Sequence, residues 1–88
     1  MTTDEAYRII CEFFSAQDNL VDSFYDEVNF GNFVIDCKGL RGGQSIVCDR
    51  SQIYICDKPG GEGECELVLA SIYEITDRQL MQSLGLHQ

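Results

Sequence analysis

Four short segments between residues 33 and 73 are rich in β-branched and aromatic residues, and turn-forming residues separate them. The segments are 33–37, 44–49, 52–57 and 64–73. Runs of this length and composition are typical of β-strands. Because short turns join antiparallel neighbours, the sequence predicts a four-stranded antiparallel sheet in meander order.

Two of the connectors have specific turn chemistry. Residues 49–51, Asp-Arg-Ser, predict a tight turn between the second and third segments. In residues 58–61, Lys-Pro-Gly-Gly, proline presets the first central dihedral and glycine accepts the positive one that follows. The glycine-rich stretch 39–43 is a longer loop, which permits more than one route between strands.

Capping patterns predict helix starts near both ends of the chain. Thr2 and Glu5 have the spacing at which a hydroxyl and a carboxylate satisfy the first free amides of a helix, and Thr76 and Gln79 repeat it. The first helix has an apolar stripe at helical spacing, formed by Tyr7, Ile10, Cys11 and Phe14. The C-terminal helix is short, because Gly85 provides a stop signal.

A further helix is predicted from Asp18 onward, because five apolar residues cluster on one face at helical spacing. They are Leu20, Val21, Phe24, Tyr25 and Val28. The pattern leaves open whether this helix is separate from the first, so we expect an N-terminal helix or helix pair. Together with the sheet and the short C-terminal helix, this predicts an α+β fold. The 44% hydrophobic content supports one small core, and we expect residues 1–88 to form a single compact acidic domain.

The net charge argues against several functions. Fifteen acidic residues against six basic ones leave a formal charge of −9. Direct binding to nucleic acid or to an anionic membrane requires positive charge, so we expect neither. The start of the chain is acidic and has no apolar run of the kind found in an export signal, so we expect a cytoplasmic protein.

The cysteines and the histidine give little support for catalysis or metal binding. Five cysteines are an odd set, which we interpret as small hydrophobes in a reducing cytosol, with a Cys48 to Cys56 pairing as an alternative. The spacing of Cys37, Cys48, Cys56 and Cys65 lacks a zinc knuckle, so we expect no metal and no cofactor. His87 lies one residue from the end, a poor position for a catalytic base, and we expect no enzymatic activity.

The acidic residues form two sets. On the predicted second helix, Asp18, Asp22 and Asp26 recur at every fourth residue, which would place them in a row about 6 Å apart. Like charges at this spacing repel, and no basic residue between positions 15 and 33 offsets them. Folding alone gives no reason for such a row.

The second set lies on the final turn and strand. Glu62, Glu64 and Glu66 alternate along the chain, so they should project to one face. Two separate acidic patches are therefore expected. A solvated acidic face kept for solubility is the plain explanation, and a surface complementary to a basic site on another protein is the sharper one.

An acidic row can occupy a basic nucleic-acid groove in place of phosphates. The leading hypothesis is an inhibitor of the immunity, anti-restriction or anti-CRISPR type. Such a protein would bind a basic nuclease or another nucleic-acid-binding protein and occlude its nucleic-acid site. The candidate contact residues are Asp18, Asp22, Asp26, Glu27, Glu62, Glu64 and Glu66.

An interaction module or adaptor is the alternative function. Five phenylalanines and four tyrosines are many for a small core, and Phe13 falls off the apolar stripe of the first helix. An exposed phenylalanine can mark a site for a partner or for a second copy of the chain. The competing interpretation places Phe13 at the edge of the core, covered by the second helix. A redox or metal-binding role for the cysteines is a third, weaker hypothesis.

Overall fold

The computed structural model describes residues 1–28 and 31–86 and confirms an α+β fold. The elements are α1 (Thr3–Ser15), β1 (Leu20–Asp26), β2 (Asn32–Cys37), β3 (Ser45–Asp49), β4 (Gln52–Cys56), a 3-10 turn (Pro59–Gly61), β5 (Cys65–Leu69) and α2 (Asp77–Ser83). All neighbouring strands pair antiparallel, and their order in the sheet is their order in the chain. The prediction of four strands is wrong, because the sheet has five.

The additional strand is β1, and it replaces the predicted second helix. The apolar residues of this segment fit a helical period, yet Val21, Phe24 and Tyr25 also favour strands, and a short run does not separate the two. In the structure, Phe24 pairs with Val34 and Tyr25 with Phe33. Pairing with β2 satisfies the backbone groups on one side of β1, so a tertiary contact decided the conformation of this segment.

Both predicted capping boxes are present. The Thr2 hydroxyl accepts a hydrogen bond from the Glu5 amide, with 3.1 Å between nitrogen and oxygen, and the Glu5 carboxylate accepts one from the Thr2 amide. Thr76 and Gln79 make the same reciprocal pair at the start of α2. The predicted N-terminal and C-terminal helices are thereby confirmed, together with the local contacts that start them.

Both helices pack on one face of the sheet, which we call the covered face. The core lies between the two helices and the sheet and consists of fully or almost fully buried side chains. They include Ala6, Ile10, Phe14, Phe33, Ile35, Ile46, Cys48, Ile53, Ile72, Leu80 and Leu84. Tyr7 joins α1 to β1, since its hydroxyl donates to the Ser23 hydroxyl at 2.7 Å and its ring lies 5.0 Å from that of Tyr25.

Neither α1 nor α2 covers the opposite side of the sheet, and we call it the open face. Side chains alternate along a strand, so the residues between the buried ones project here. They include Asp22, Phe24, Val34, Asp36, Val47, Tyr54 and Leu67. Within the described chain, the 3-10 turn is the element that lies over the middle of this face.

Buried Ser45 anchors the 3-10 turn to the open face. Its hydroxyl donates to the Lys58 carbonyl at 2.7 Å and accepts from the Gly61 amide at 3.0 Å. Gly61 has a φ of +73°, and a Cβ there would lie 2.8 Å from a methyl carbon of Val47. Glycine is therefore required at this position, both for its dihedral and for the close approach to β3.

Candidate functional site

The open face carries two carboxylates directly opposite each other. Asp22 of β1 and Asp36 of β2 are cross-strand partners, which places their Cα atoms roughly 4.5–5.5 Å apart. Like charges at opposite positions destabilise a sheet. Within residues 1–28 and 31–86, neither carboxylate forms an ion pair with a basic side chain.

Backbone amides hold both carboxylates in place. Asp36 accepts a hydrogen bond of 2.8 Å from the Gly60 amide, which ties the 3-10 turn to β2. Asp22 accepts one of 2.9 Å from the Ser23 amide. These contacts fix the orientation of the carboxylates without neutralising their charge, so this part of the open face is negative.

A phenylalanine stands beside this pair. The side chain of Phe24 is 63% exposed. Its cross-strand partner on β2 is the apolar Val34. Between Phe24 and the 3-10 turn lies a shallow recess of about 240 Å³. Its lining residues are Asp22, Ser23, Phe24, Val34, Asp36 and Gly60. Acidic and aromatic groups therefore meet in one open depression, which we call the β1–β2 recess.

The structure changes the geometry predicted for the first acidic set. Asp22 and Asp26 lie on one face of a strand, where four residues span roughly 13 Å instead of the 6 Å of a helix. Asp18 precedes β1 in a turn, with a φ of +57°. Asp26 accepts a hydrogen bond from the Val28 amide, and Glu27 is exposed in the following turn. The regular helical row is wrong, and the role of these residues in binding stays a prediction.

Of the second acidic set, Glu66 lies on β5 at the other edge of the sheet. β1 and β5 are the two edge strands, and four strand spacings separate them by roughly 19 Å. Glu66 pairs with Ile55 and projects away from the open face. Glu62 and Glu64 are exposed in the segment between the 3-10 turn and β5. Glu66 is therefore remote from Asp22 and Asp26, whereas Glu62 directly follows the 3-10 turn whose Gly60 amide contacts Asp36.

Sequence reasoning missed Asp36 and Phe24 as site residues. A signal for Asp36 was present, because side chains alternate along β2. Phe33 and Ile35 are buried on one face, so Asp36 projects to the other. Phe24 was assigned to the buried stripe of a helix, so its exposure could not be seen. Interpreting residues 20–26 as a strand would have brought Asp22, Phe24 and Asp36 together.

Two cysteines are paired, contrary to the interpretation of all five as unpaired hydrophobes. Cys56 and Cys65 are cross-strand partners of β4 and β5 and form a disulfide. The alternative Cys48 to Cys56 pairing is wrong, and Cys48 is a free buried thiol. Disulfides are characteristic of oxidising compartments, and the cytoplasmic location stays a prediction.

The free thiols are unsuited to nucleophilic chemistry. Burial raises the pKa of Cys37 to about 12 and that of Cys48 to about 11. Burial also raises the pKa of Cys11, which is half-buried beside Tyr7 and Ser23. Thiols are nucleophilic as thiolates, so these three are poor nucleophiles at neutral pH.

The described residues contain no group of three or more acidic, histidine or cysteine side chains that could hold a metal ion. His87, rejected as a catalytic base in the sequence, lies outside the described residues. Neither α1 nor α2 has the length and apolarity that crossing a bilayer requires.

A groove between α1 and α2 is the second surface with a defined shape. Its volume is about 970 Å³, and its lining residues are Ile9, Glu12, Phe13, Ala16, Gln17, Asp77, Arg78, Met81, Gln82 and Leu86. Phe13 is half-buried and packs edge-on against Phe14 with ring centroids 5.3 Å apart. Phe13 therefore lies at the edge of the core, next to α2. The sequence predicted that a second helix would cover it, but that segment is the strand β1.

Comparison with family models, with curated proteins and with solved structures found no match to this chain. No function can be transferred from a relative. The open face, the helix groove and the distribution of charge are therefore the features that bear on function.

Proposed function

We propose that this protein is a non-catalytic inhibitor that binds a basic protein through the open face of its sheet. The partner is a nuclease or another protein that handles nucleic acid, and binding covers the surface that its nucleic acid would occupy. The observation that carries the proposal is the unneutralised Asp22 and Asp36 pair beside the exposed Phe24.

The repulsion between Asp22 and Asp36 supports a role outside folding. Opposite like charges cost the sheet stability, and a neutral pair at the same positions would form the same strand contacts. A cationic partner removes that cost on binding, because its charge lies between the two carboxylates. Stability is commonly lower at binding sites for this reason.

The overall charge supports the same partner. With a net charge of −9, the protein attracts basic surfaces over distances of about 10 Å at moderate ionic strength. Basic surfaces are typical of proteins that bind the phosphate backbone. Association should therefore be fast and should weaken as salt is added.

The test is capture of partners from a cell extract on the immobilised full chain, at low and at high salt, with identification by mass spectrometry. The Asp22→Asn/Asp36→Asn variant is compared with Glu12→Gln/Asp77→Asn, which changes the net charge equally but on the helix groove. We expect a basic nucleic-acid-binding protein that is retained by wild type and by the groove variant and lost from the open-face variant.

The captured partner is then assayed for nucleic-acid binding or cleavage with increasing amounts of the acidic protein. Complete inhibition near one equivalent supports the proposal. A partner that is not basic, or whose retention does not depend on salt, contradicts it. Equal loss from both variants would mean that net charge alone attracts the partner, which contradicts the assignment to the open face.

The interaction module is the second candidate, and the groove between α1 and α2 favours it. Ile9, Phe13 and Met81 give the groove an apolar floor, which suits a partner bound by apolar contact. Retention that survives high salt and is lost in a Phe13→Ala variant would favour this candidate over the inhibitor.

A further inference from the structure

The β1–β2 recess has the size of a site for one side chain. Its volume is about 240 Å³. Sites for small organic ligands are usually larger, at about 300–1,000 Å³, and more enclosed. The recess opens on the sheet face that neither α1 nor α2 covers, where a protruding side chain of another protein can enter.

The recess combines three kinds of surface. Asp22 and Asp36 supply the negative charge, Phe24 supplies an exposed aromatic ring, and Val34 supplies an apolar wall. Among residues 1–28 and 31–86, no lysine or arginine forms an ion pair with either carboxylate. Both carboxylates are therefore open to a cationic group from another molecule.

We propose that the β1–β2 recess binds an arginine side chain of the basic partner. The guanidinium faces the carboxylates of Asp22 and Asp36 and stacks on Phe24, while its methylene groups contact Val34. This inference rests on the proposed function and names the chemical group by which the partner is recognised.

Arginine fits this arrangement better than lysine does. The guanidinium is planar, so it stacks on an aromatic ring while its N–H groups donate to carboxylates. It is also less strongly hydrated than an ammonium group, and entry into a partly apolar recess costs less. Lysine provides the charge without the flat surface.

The first experiment is an NMR titration of the full chain with two synthetic peptides, acetyl-Gly-Gly-Arg-Gly-Gly-amide and its lysine counterpart. A third peptide with citrulline keeps the shape of arginine and removes its charge. We expect the arginine peptide to shift the amide signals of Ser23, Phe24 and Gly60. The lysine peptide should bind about two- to fivefold more weakly, which is the range for a stacked cation at an exposed site. Citrulline should give no shift.

Variants then separate stacking from charge. Phe24→Leu should lower arginine affinity by about two- to fivefold and lower lysine affinity by a smaller factor, because the ammonium has no flat surface to stack on the ring. Asp36→Asn should weaken both peptides. Glu12→Gln on the helix groove is the control and should weaken neither. Because the amide spectrum also reports folding, a variant with a disturbed spectrum is replaced by Phe24→Met.

Two results would overturn the arginine site. One is equal binding of arginine and lysine peptides with no effect of Phe24→Leu, which would mean unspecific charge attraction. The other is a set of shifts confined to residues outside the recess. A basic partner captured through the open face but insensitive to Phe24→Leu would refute the arginine site and leave the proposed function intact. Arginine binding in the recess without any captured basic partner would refute the proposed function instead.

Discussion

The two faces of the sheet are built from the same five strands and have opposite properties. On the covered face, Phe33 and Ile35 of β2 are essentially inaccessible to water. On the open face, Val34 and Asp36 of the same strand line a recess. Alternation along a strand therefore lets one segment fill the core with its odd residues and place different chemistry on the other face with its even ones.

This difference separates the positions that decide stability from those that carry the proposed binding site. A change on the covered face alters the core and hence the free energy of unfolding. A change on the open face alters charge and shape while leaving the core intact. Matched substitutions on the two faces test that separation directly, and the expected effects are described from the largest to the smallest.

Thiol reactivity should differ most between the faces. At pH 8, an exposed thiol with the ordinary pKa of 9.0 is partly ionised, whereas burial raises the pKa of Cys37 to about 12. Three pKa units lower the thiolate fraction about 1,000-fold. After reduction of the disulfide, alkylation followed by mass spectrometry should label the exposed Cys65 rapidly and Cys37 and Cys48 very slowly.

The labelling rate of Cys37 should rise about tenfold for each pH unit up to its pKa, because only the thiolate reacts. Denatured protein is the control, and all thiols should then react alike. Rapid labelling of Cys37 and Cys48 in the native protein would contradict their placement on the covered face.

The second prediction compares the same substitution on opposite faces. Phe33→Ala should lower the free energy of unfolding by about 3–5 kcal/mol, because it empties a fully buried site. Phe24→Ala should lower it by about 1 kcal/mol or less, because its ring is largely exposed. Urea denaturation of both variants measures the difference. Similar losses would mean that Phe24 contributes to the core.

The third prediction concerns the disulfide that joins β4 to β5. Cys65→Ser should lower the free energy of unfolding by roughly 2–3 kcal/mol, the loop-entropy value for a closed loop of this length. Reductant should lower the urea midpoint of wild type to about that of the variant. It should leave the midpoint of the variant unchanged. A wild-type midpoint insensitive to reductant would contradict a stabilising disulfide.

The smallest expected effect has the opposite sign. Asp22→Asn removes the repulsion with Asp36 and should raise the free energy of unfolding by roughly 0.2–1 kcal/mol. The gain should shrink at high salt, which screens exposed charges. The same variant should bind the basic partner more weakly. Destabilisation by Asp22→Asn, measured in the same urea experiment, would contradict the repulsion argument.

Much of the fold could be predicted because its signals are local. The capping boxes at Thr2 and Thr76 involve residues three positions apart, and the four strands after residue 31 are short β-rich runs between turns. The first strand was missed because residues 20–26 satisfy both a helical and a strand pattern. Its conformation depends on pairing with β2, which a local pattern does not contain.

The candidate site depended on that missed strand. Asp22 was recognised from its unopposed charge, whereas Phe24 and Asp36 gain their significance from the β1–β2 register. The disulfide was missed for a similar reason, because Cys56 and Cys65 are nine residues apart and become neighbours only through the β4–β5 pairing. Spacing along the chain did not distinguish this pair from other cysteine pairs.

The sequence by itself determined the acidic character, the helix starts, the turns and the antiparallel arrangement of four strands, because charge and short-range hydrogen bonding depend on neighbouring residues. The tertiary structure decided that β1 is a strand, that the helices cover only one face, and that Asp22, Phe24 and Asp36 share one recess. These features depend on hydrogen bonds and packing between segments distant in the chain, where the register of one strand fixes which side chains of the next are exposed.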